Sequence, residues 1–114
     1  MAETVERAIV RRRAGLTVID MPTHIDITTE AALDTAYSEV SPTGAILLNF
    51  SGTEYINSSG IALIVGILAR ARKQSRPISA YGLSAHYREI FEVTRLSDFM
   101  GLYGDEQAAI AGKR

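Results

Sequence analysis

The side chains able to do chemistry gather at one place in this sequence. Tyr55-Ile56-Asn57-Ser58-Ser59-Gly60-Ile61 sets a polar turn between two apolar runs. Three uses are open to a serine at such a junction: nucleophile, phosphate acceptor or helix cap. Ala45-Ile46-Leu47-Leu48-Asn49-Phe50 before the turn reads as a buried strand, and Ile61 to Ala69 after it is apolar enough to begin a helix. The hydroxyls therefore lie at a helix N-terminus, where free backbone N–H groups and the helix dipole favour negative charge. A phosphate added there changes the surface without necessarily breaking the fold. The plainer use is capping, in which a serine contributes about 1 kcal/mol, and on physics alone capping is the commoner use. Two hydroxyls followed by Gly60 raise the functional reading, because glycine leaves the turn open to a partner's approach.

The nucleophile reading fares poorly. Hydrolysis needs a serine, a base and an orienting acid brought together. The only histidines are His24 and His86, and the residues around Ser58 do not form Gly-x-Ser-x-Gly. Two isolated histidines also lack metal-ligand spacing and read as surface or turn residues. Neither a Gly-x-x-x-x-Gly-Lys-Ser/Thr loop nor a Gly-x-Gly-x-x-Gly run is present, so a nucleotide or small-ligand binder has only the helix N-terminus behind it. No catalytic residue, metal or cofactor is expected. The turn points to a charge-switched binding module rather than an enzyme.

Bulk composition narrows the class further. The chain has 114 residues, the size of one domain, and a hydrophobic content of 46% suffices for a packed core. Without cysteine there is no disulfide and no thiolate chemistry. A net charge of −1 argues against general nucleic-acid binding, which wants a basic face. Met1-Ala2-Glu3-Thr4-Val5-Glu6 has no basic-then-apolar signal pattern, and Ile61 to Ala69 is too short to span a bilayer. The expectation is a soluble cytoplasmic protein without membrane partners.

The elements that must position the turn follow from periodicity. Ala8-Ile9-Val10 and Leu16-Thr17-Val18-Ile19 read as a hairpin turning at Ala14-Gly15, and Met21-Pro22-Thr23-His24 breaks the pattern. Thr28-Thr29-Glu30 opens a helix with Ala32, Leu33, Ala36, Tyr37 and Val40 on one face, ended by Ser41-Pro42-Thr43-Gly44. The helix after Ser58 runs to about Gln74. Ile61, Ile64, Val65 and Leu68 are expected in the core, and Gly66 is expected to pack closely against the sheet. The Arg70–Arg76 cluster reads as a solvated, dipole-compensating helix end, and Arg11-Arg12-Arg13 as cations guarding an exposed edge strand. Pro77 to Gly82 is a strand. Ser84 caps a third helix with Tyr87, Ile90, Phe91 and Thr94 inward, Gly101-Leu102-Tyr103 is a weak last strand, and Asp105 to Ala111 a tail helix packing through Ala108, Ile110 and Ala111. The order β-β-α-β-α-β-α-β-α implies an α/β domain: a four- to five-stranded mixed, mostly parallel sheet covered by about four helices, its first strand antiparallel at an edge.

Three segments resemble the STAS-domain anti-sigma factor antagonists of bacteria. The family pattern at the turn is apolar, Asp, Ser, Ser or Thr, Gly, apolar; here it reads Ile56-Asn57-Ser58-Ser59-Gly60-Ile61. Ile25-Asp26-Ile27-Thr28 matches an Ile/Leu-Asp followed by a small hydroxylated residue before the first helix. Phe91-Glu92-Val93-Thr94-Arg95-Leu96 matches the Phe-x-hydrophobic-Thr-Gly-Leu segment near the end of the third helix. The element order agrees over nearly the whole chain.

The resemblance implies a STAS-like fold and a partner-switching role. In this family the unphosphorylated form binds an anti-sigma factor that is also a serine kinase and frees a sigma factor. Phosphorylation ends the binding, and a serine phosphatase resets it. By position the phosphosite is Ser58, with Ser59 the second choice, and the partner surface takes in Asp26, Thr28, Asn57, Ser58, Ser59, Gly60 and Ile61. Two positions depart from the pattern: Asn57 stands where the family has Asp, and Arg95 where it has Gly. The Asn57 change gives weight to a second role, a constitutive STAS scaffold or small subunit of a larger assembly, for example a transport system.

Overall fold

A computed structural model describes residues 7–112 of the chain; residues 1–6, read from their sequence as no signal peptide, lie outside the described residues. The hairpin forms as expected. β1 (Ile9–Arg13) and β2 (Leu16–Asp20) pair antiparallel, and Ala14 and Gly15 both take positive φ, the backbone of a turn that matches strand twist. Then come β3 (His24–Ile25), a single tight helical turn (Ile27–Thr29), α1 (Glu30–Ser38), β4 (Ile46–Asn49), β5 (Tyr55–Ile56) and α2 (Ser58–Lys73). β6 (Ile78–Tyr81), α3 (Ala85–Val93), a second tight turn (Leu96–Asp98), β7 (Gly101–Tyr103) and α4 (Glu106–Gly112) complete the order.

The main sheet has five strands in the order β1-β2-β4-β6-β7, parallel except for β1 at the edge. β4 lies at its centre, and Ile46, Leu47 and Leu48 are wholly buried. Burial on both faces explains why this strand reads as a continuous apolar run rather than an alternation. Strand residues of one parity, such as Ile19, Ile46, Leu48 and Ala80, pack with α1, α2 and α3. Those of the other parity, Leu16, Val18, Leu47 and Tyr81, pack with Ala109 of α4. Phe50 and Phe91 meet edge to face at 5.7 Å in the larger core.

Several expectations change at the level of single residues. Gly66 does not pack against the sheet: it is exposed, and a Cβ built there meets nothing within 4 Å. Val65 is 44% exposed, and Ile67 takes the core place expected of it. The core-facing positions of α2 are Ile64, Ile67, Leu68 and Ala71, so the helix is rotated from the orientation that its early apolar run suggests. Thr94 is exposed and back-bonds to the Ile90 carbonyl at 2.7 Å instead of packing inward. In α4 the buried residue is Ala109, while Ala108 and Ala111 face water.

The arginine clusters are only partly solvated. The Arg11 guanidinium donates twice to Asp20, at 2.7 and 2.9 Å, and once to Glu106 at 2.9 Å, while Arg13 reaches Glu106 at 3.0 Å. Edge strand β1 is thus clasped to α4. Arg70 lies 4.3 Å above the Tyr37 ring and pairs with Asp34, and Arg76 is buried with its Nε donating to the Gly44 carbonyl.

Candidate functional site: the Ser58 turn

A second, two-stranded sheet builds the site. β3 and β5 pair in parallel, His24 against Tyr55 and Ile25 against Ile56. The next residue of each strand is Asp26 in one case and Asn57 in the other, so the ribbon sets two turns side by side. The loops behind it are tied as well. Glu54 and Tyr55 N–H groups both donate to the Thr23 carbonyl, and the Thr53 hydroxyl donates to the Pro22 carbonyl at 2.8 Å. From the far side, the Tyr87 hydroxyl of α3 accepts the Ile56 N–H at 3.0 Å.

Asn57 is the cap of α2. Its Oδ1 accepts the Gly60 N–H at 2.8 Å, and its own N–H donates to the Ile25 carbonyl. Ser58 and Ser59 are then the first and second helical residues. Neither hydroxyl makes a hydrogen bond among the described residues, and Ser58 is exposed while Ser59 is half-buried. The commoner reading of Ser58 as the helix cap is thereby overturned. The neighbouring asparagine does that work and leaves the hydroxyl turned to water.

Gly60 has a reason other than an open turn. It is buried, and a Cβ there would stand 2.0 Å from the Ile25 carbonyl oxygen and 3.0 Å from Ile56 Cγ2. Only glycine lets α2 start against the β3–β5 ribbon. Ile61 follows, partly buried against the larger core.

The adjoining turn carries the charge. Asp26 caps the turn Ile27–Thr29: its carboxylate accepts the Thr28 N–H at 2.9 Å and the Thr28 hydroxyl, while the Thr29 hydroxyl accepts the Asp26 N–H. The two Thr28 donors hold the Asp26 carboxyl below the usual range, so it is ionised at neutral pH. Asp26 is half-buried and Thr28 exposed. Two residues that lie within the quoted motifs but outside the expected partner surface complete it. Ile27 is 60% exposed and Tyr55 51%. Large apolar side chains inside an otherwise polar turn were the available signal. His24 and His86 are both exposed and sit on separate elements.

This arrangement offers an exposed hydroxyl at a helix N-terminus, a fixed carboxylate beside it, and apolar side chains around both. The fold and the turn together define the class. The family model described as Mlab, STAS domain, matches residues 10–103, and the chain belongs to the STAS domain family. Solved structures agree with the fold. An anti-sigma-factor antagonist (STAS) domain protein from Planctomyces limnophilus is 24% identical with a TM-score of 0.78, over 96% of this chain and 98% of that one. An anti-sigma factor antagonist from Mycobacterium paratuberculosis is 19% identical with a TM-score of 0.76, over 95% and 93%. The Bacillus cell fate determinant SpoIIAA in its phosphorylated form is 21% identical with a TM-score of 0.65, over 94% and 99%. None of the curated proteins compared with the chain matches it. Among the described residues, no helix is long and apolar enough to cross a membrane.

The position the family pattern gives to glycine after Thr94 has a structural reason too. Arg95 sits at φ 70°, in the left-handed region that glycine enters without strain. Arg95 holds this backbone with its Nε donating to Asp98 at 2.6 Å.

Proposed function

We propose that the chain is an anti-sigma factor antagonist that acts by binding, not by catalysis. In the unphosphorylated state it sequesters an anti-sigma factor that is also a serine kinase, and a sigma factor is released. Phosphorylation at Ser58 ends the binding, and a serine phosphatase restores it. Its setting is the cytoplasm. The observation that carries this reading is Ser58: exposed, with no hydrogen bond to its hydroxyl among the described residues, and relieved of capping by Asn57. The names of the structurally similar anti-sigma factor antagonists support it.

The physical basis is charge. A phosphate adds about −2 charge and three acceptor oxygens. On Ser58 it meets the free N–H groups of the first turn of α2, which favour it within the isolated domain. In a close interface the same group is desolvated, and the neighbouring turn, set beside it by the β3–β5 pairing, carries the ionised Asp26. A loss of about 3 kcal/mol of binding corresponds to roughly a hundredfold in affinity. Ile27 and Tyr55 supply apolar contact for the neutral state. Asp26 brings a carboxylate to this surface, whereas Asn57 brings none.

A second reading is a constitutive STAS scaffold, or a small subunit of a larger assembly such as a transport system. Asn57 favours it, because the cap works without presenting a carboxylate to a kinase. A comparative pull-down from the native host separates the two, with wild type, Ser58→Ala and Ser58→Asp as baits. A kinase-like partner kept by Ser58→Ala and lost by Ser58→Asp, with phosphate on wild-type Ser58, supports the switch. One partner held equally by all three baits, with no phosphate, supports the scaffold.

A further inference from the structure

Away from the Ser58 turn, the C-terminal half of α2, the chain entering β6 and the turn Leu96–Asp98 enclose a groove of about 610 Å³. Small-molecule sites span roughly 300–1,000 Å³. Its walls are apolar, with Val65, Leu68, Pro77, Leu96 and Phe99 among them. Phe99 is 54% exposed, so this apolar surface faces water. The charged side chains of the wall are Arg72 and Arg76, and no carboxylate lines it among the described residues. Arg72 is held 5.1 Å above the Phe99 ring, at the groove's rim.

Arg76 is the unusual member. Its residue is only 8% exposed, and its Nε is satisfied by the Gly44 carbonyl at 2.9 Å. Its Nη2 is buried with no hydrogen-bond partner among the described residues. A buried cationic donor without an acceptor is costly, and a guanidinium is shaped to take a carboxylate through two parallel bonds. A neutral apolar ligand would leave the two guanidinium groups of the wall without a counter-charge, and a cation would meet two positive charges. A wholly polar anion would leave the apolar walls against water.

We propose that this groove binds a small amphiphilic carboxylate. The apolar body lies along Val65, Leu68, Leu96 and Phe99, and the carboxylate sits between Arg72 and Arg76. Decanoate is the probe, with decanol and decyltrimethylammonium as matched neutral and cationic chains, all below their micellar concentrations. Amide shifts of the full chain are followed by heteronuclear NMR. Expected are saturable shifts along the second half of α2 and the Leu96–Asp98 turn, with decanoate bound at least about tenfold more tightly than decanol. Arg72→Gln weakens decanoate several-fold toward the decanol affinity and leaves decanol binding unchanged, since Arg76 remains, and Ala69→Trp, which fills the groove from an exposed lining position, abolishes both. Equal affinity for decanoate and decanol, shifts that never saturate, or unchanged decanoate binding in Arg72→Gln overturns the proposal. The Arg72→Gln comparison decides alone if Ala69→Trp does not fold.

Discussion

Asn57 makes the helix cap, and the proposed switch leaves Ser58 to carry the phosphate. Because Asn57 makes the cap, Asn57→Ala should cost about 1 kcal/mol in urea denaturation, while Ser58→Ala stays within about 0.5 kcal/mol of wild type. A large loss in Ser58→Ala would return the hydroxyl to a structural role. Asn57→Asp keeps an acceptor for the Gly60 N–H and adds a negative charge at the helix start, so stability should hold or rise slightly. If the missing carboxylate matters to the kinase, the same variant should be phosphorylated faster by the cognate enzyme. An unchanged rate would mean that asparagine is an adequate substitute. The turn itself was legible in the sequence because hydroxyls and glycine stand between two apolar runs. Which residue caps it was not, since Asn and Ser are near-equal cap formers and one residue decides between them.

At the scale of elements, the start of α2 is fixed by contact with a ribbon too short to see in a sequence. β3 and β5 are two residues each, and no periodicity exists over that length. The longer strands and all four helices are legible because burial imposes a continuous apolar run or a repeating face. The glycines show the limit of that reading. A glycine in an apolar helix marks a close approach only if its missing Cβ points at a neighbour. Gly60 meets that condition and Gly66 does not. Gly60→Ala should therefore destabilise by about 2 kcal/mol or more, because the Ile25 backbone would have to move. Gly66→Ala should stabilise by about 0.5–1 kcal/mol, by helix propensity and a less free unfolded chain. Thermal or urea midpoints of the two variants moving in the same direction would contradict this packing.

Across the whole molecule, the polar clasp joins β1 and α4, the first and last elements among the described residues, over the second face of the sheet. The Arg11 and Tyr81 hydrogen bonds hold the Glu106 carboxyl below its ordinary range. At Asp20, burial pushes the pKa up, but Arg11 and Asn49 outweigh it and the net shift is downward. Tyr81 moves the other way, pushed up to about 12 by burial and by its bond to Glu106. For carboxylates lowered in the folded state, the stabilisation is complete above the unfolded pKa near 4 and is lost as pH falls through the folded value. Urea stability should thus fall progressively as the pH drops below about 5, and Glu106→Gln should fall less over the same range. Parallel curves would mean that the clasp does not titrate with folding. The pairing was hidden from the sequence because Arg11 and Glu106 stand far apart in the chain, and a cation on an edge strand looks the same whether or not a helix covers it. The central claim, that one hydroxyl controls partner binding by the whole domain, is tested most directly by calorimetry. The captured anti-sigma kinase is titrated into unmodified protein and into protein phosphorylated at Ser58. The account predicts binding weakened by roughly a hundredfold on phosphorylation. Equal affinities for the two forms would contradict it.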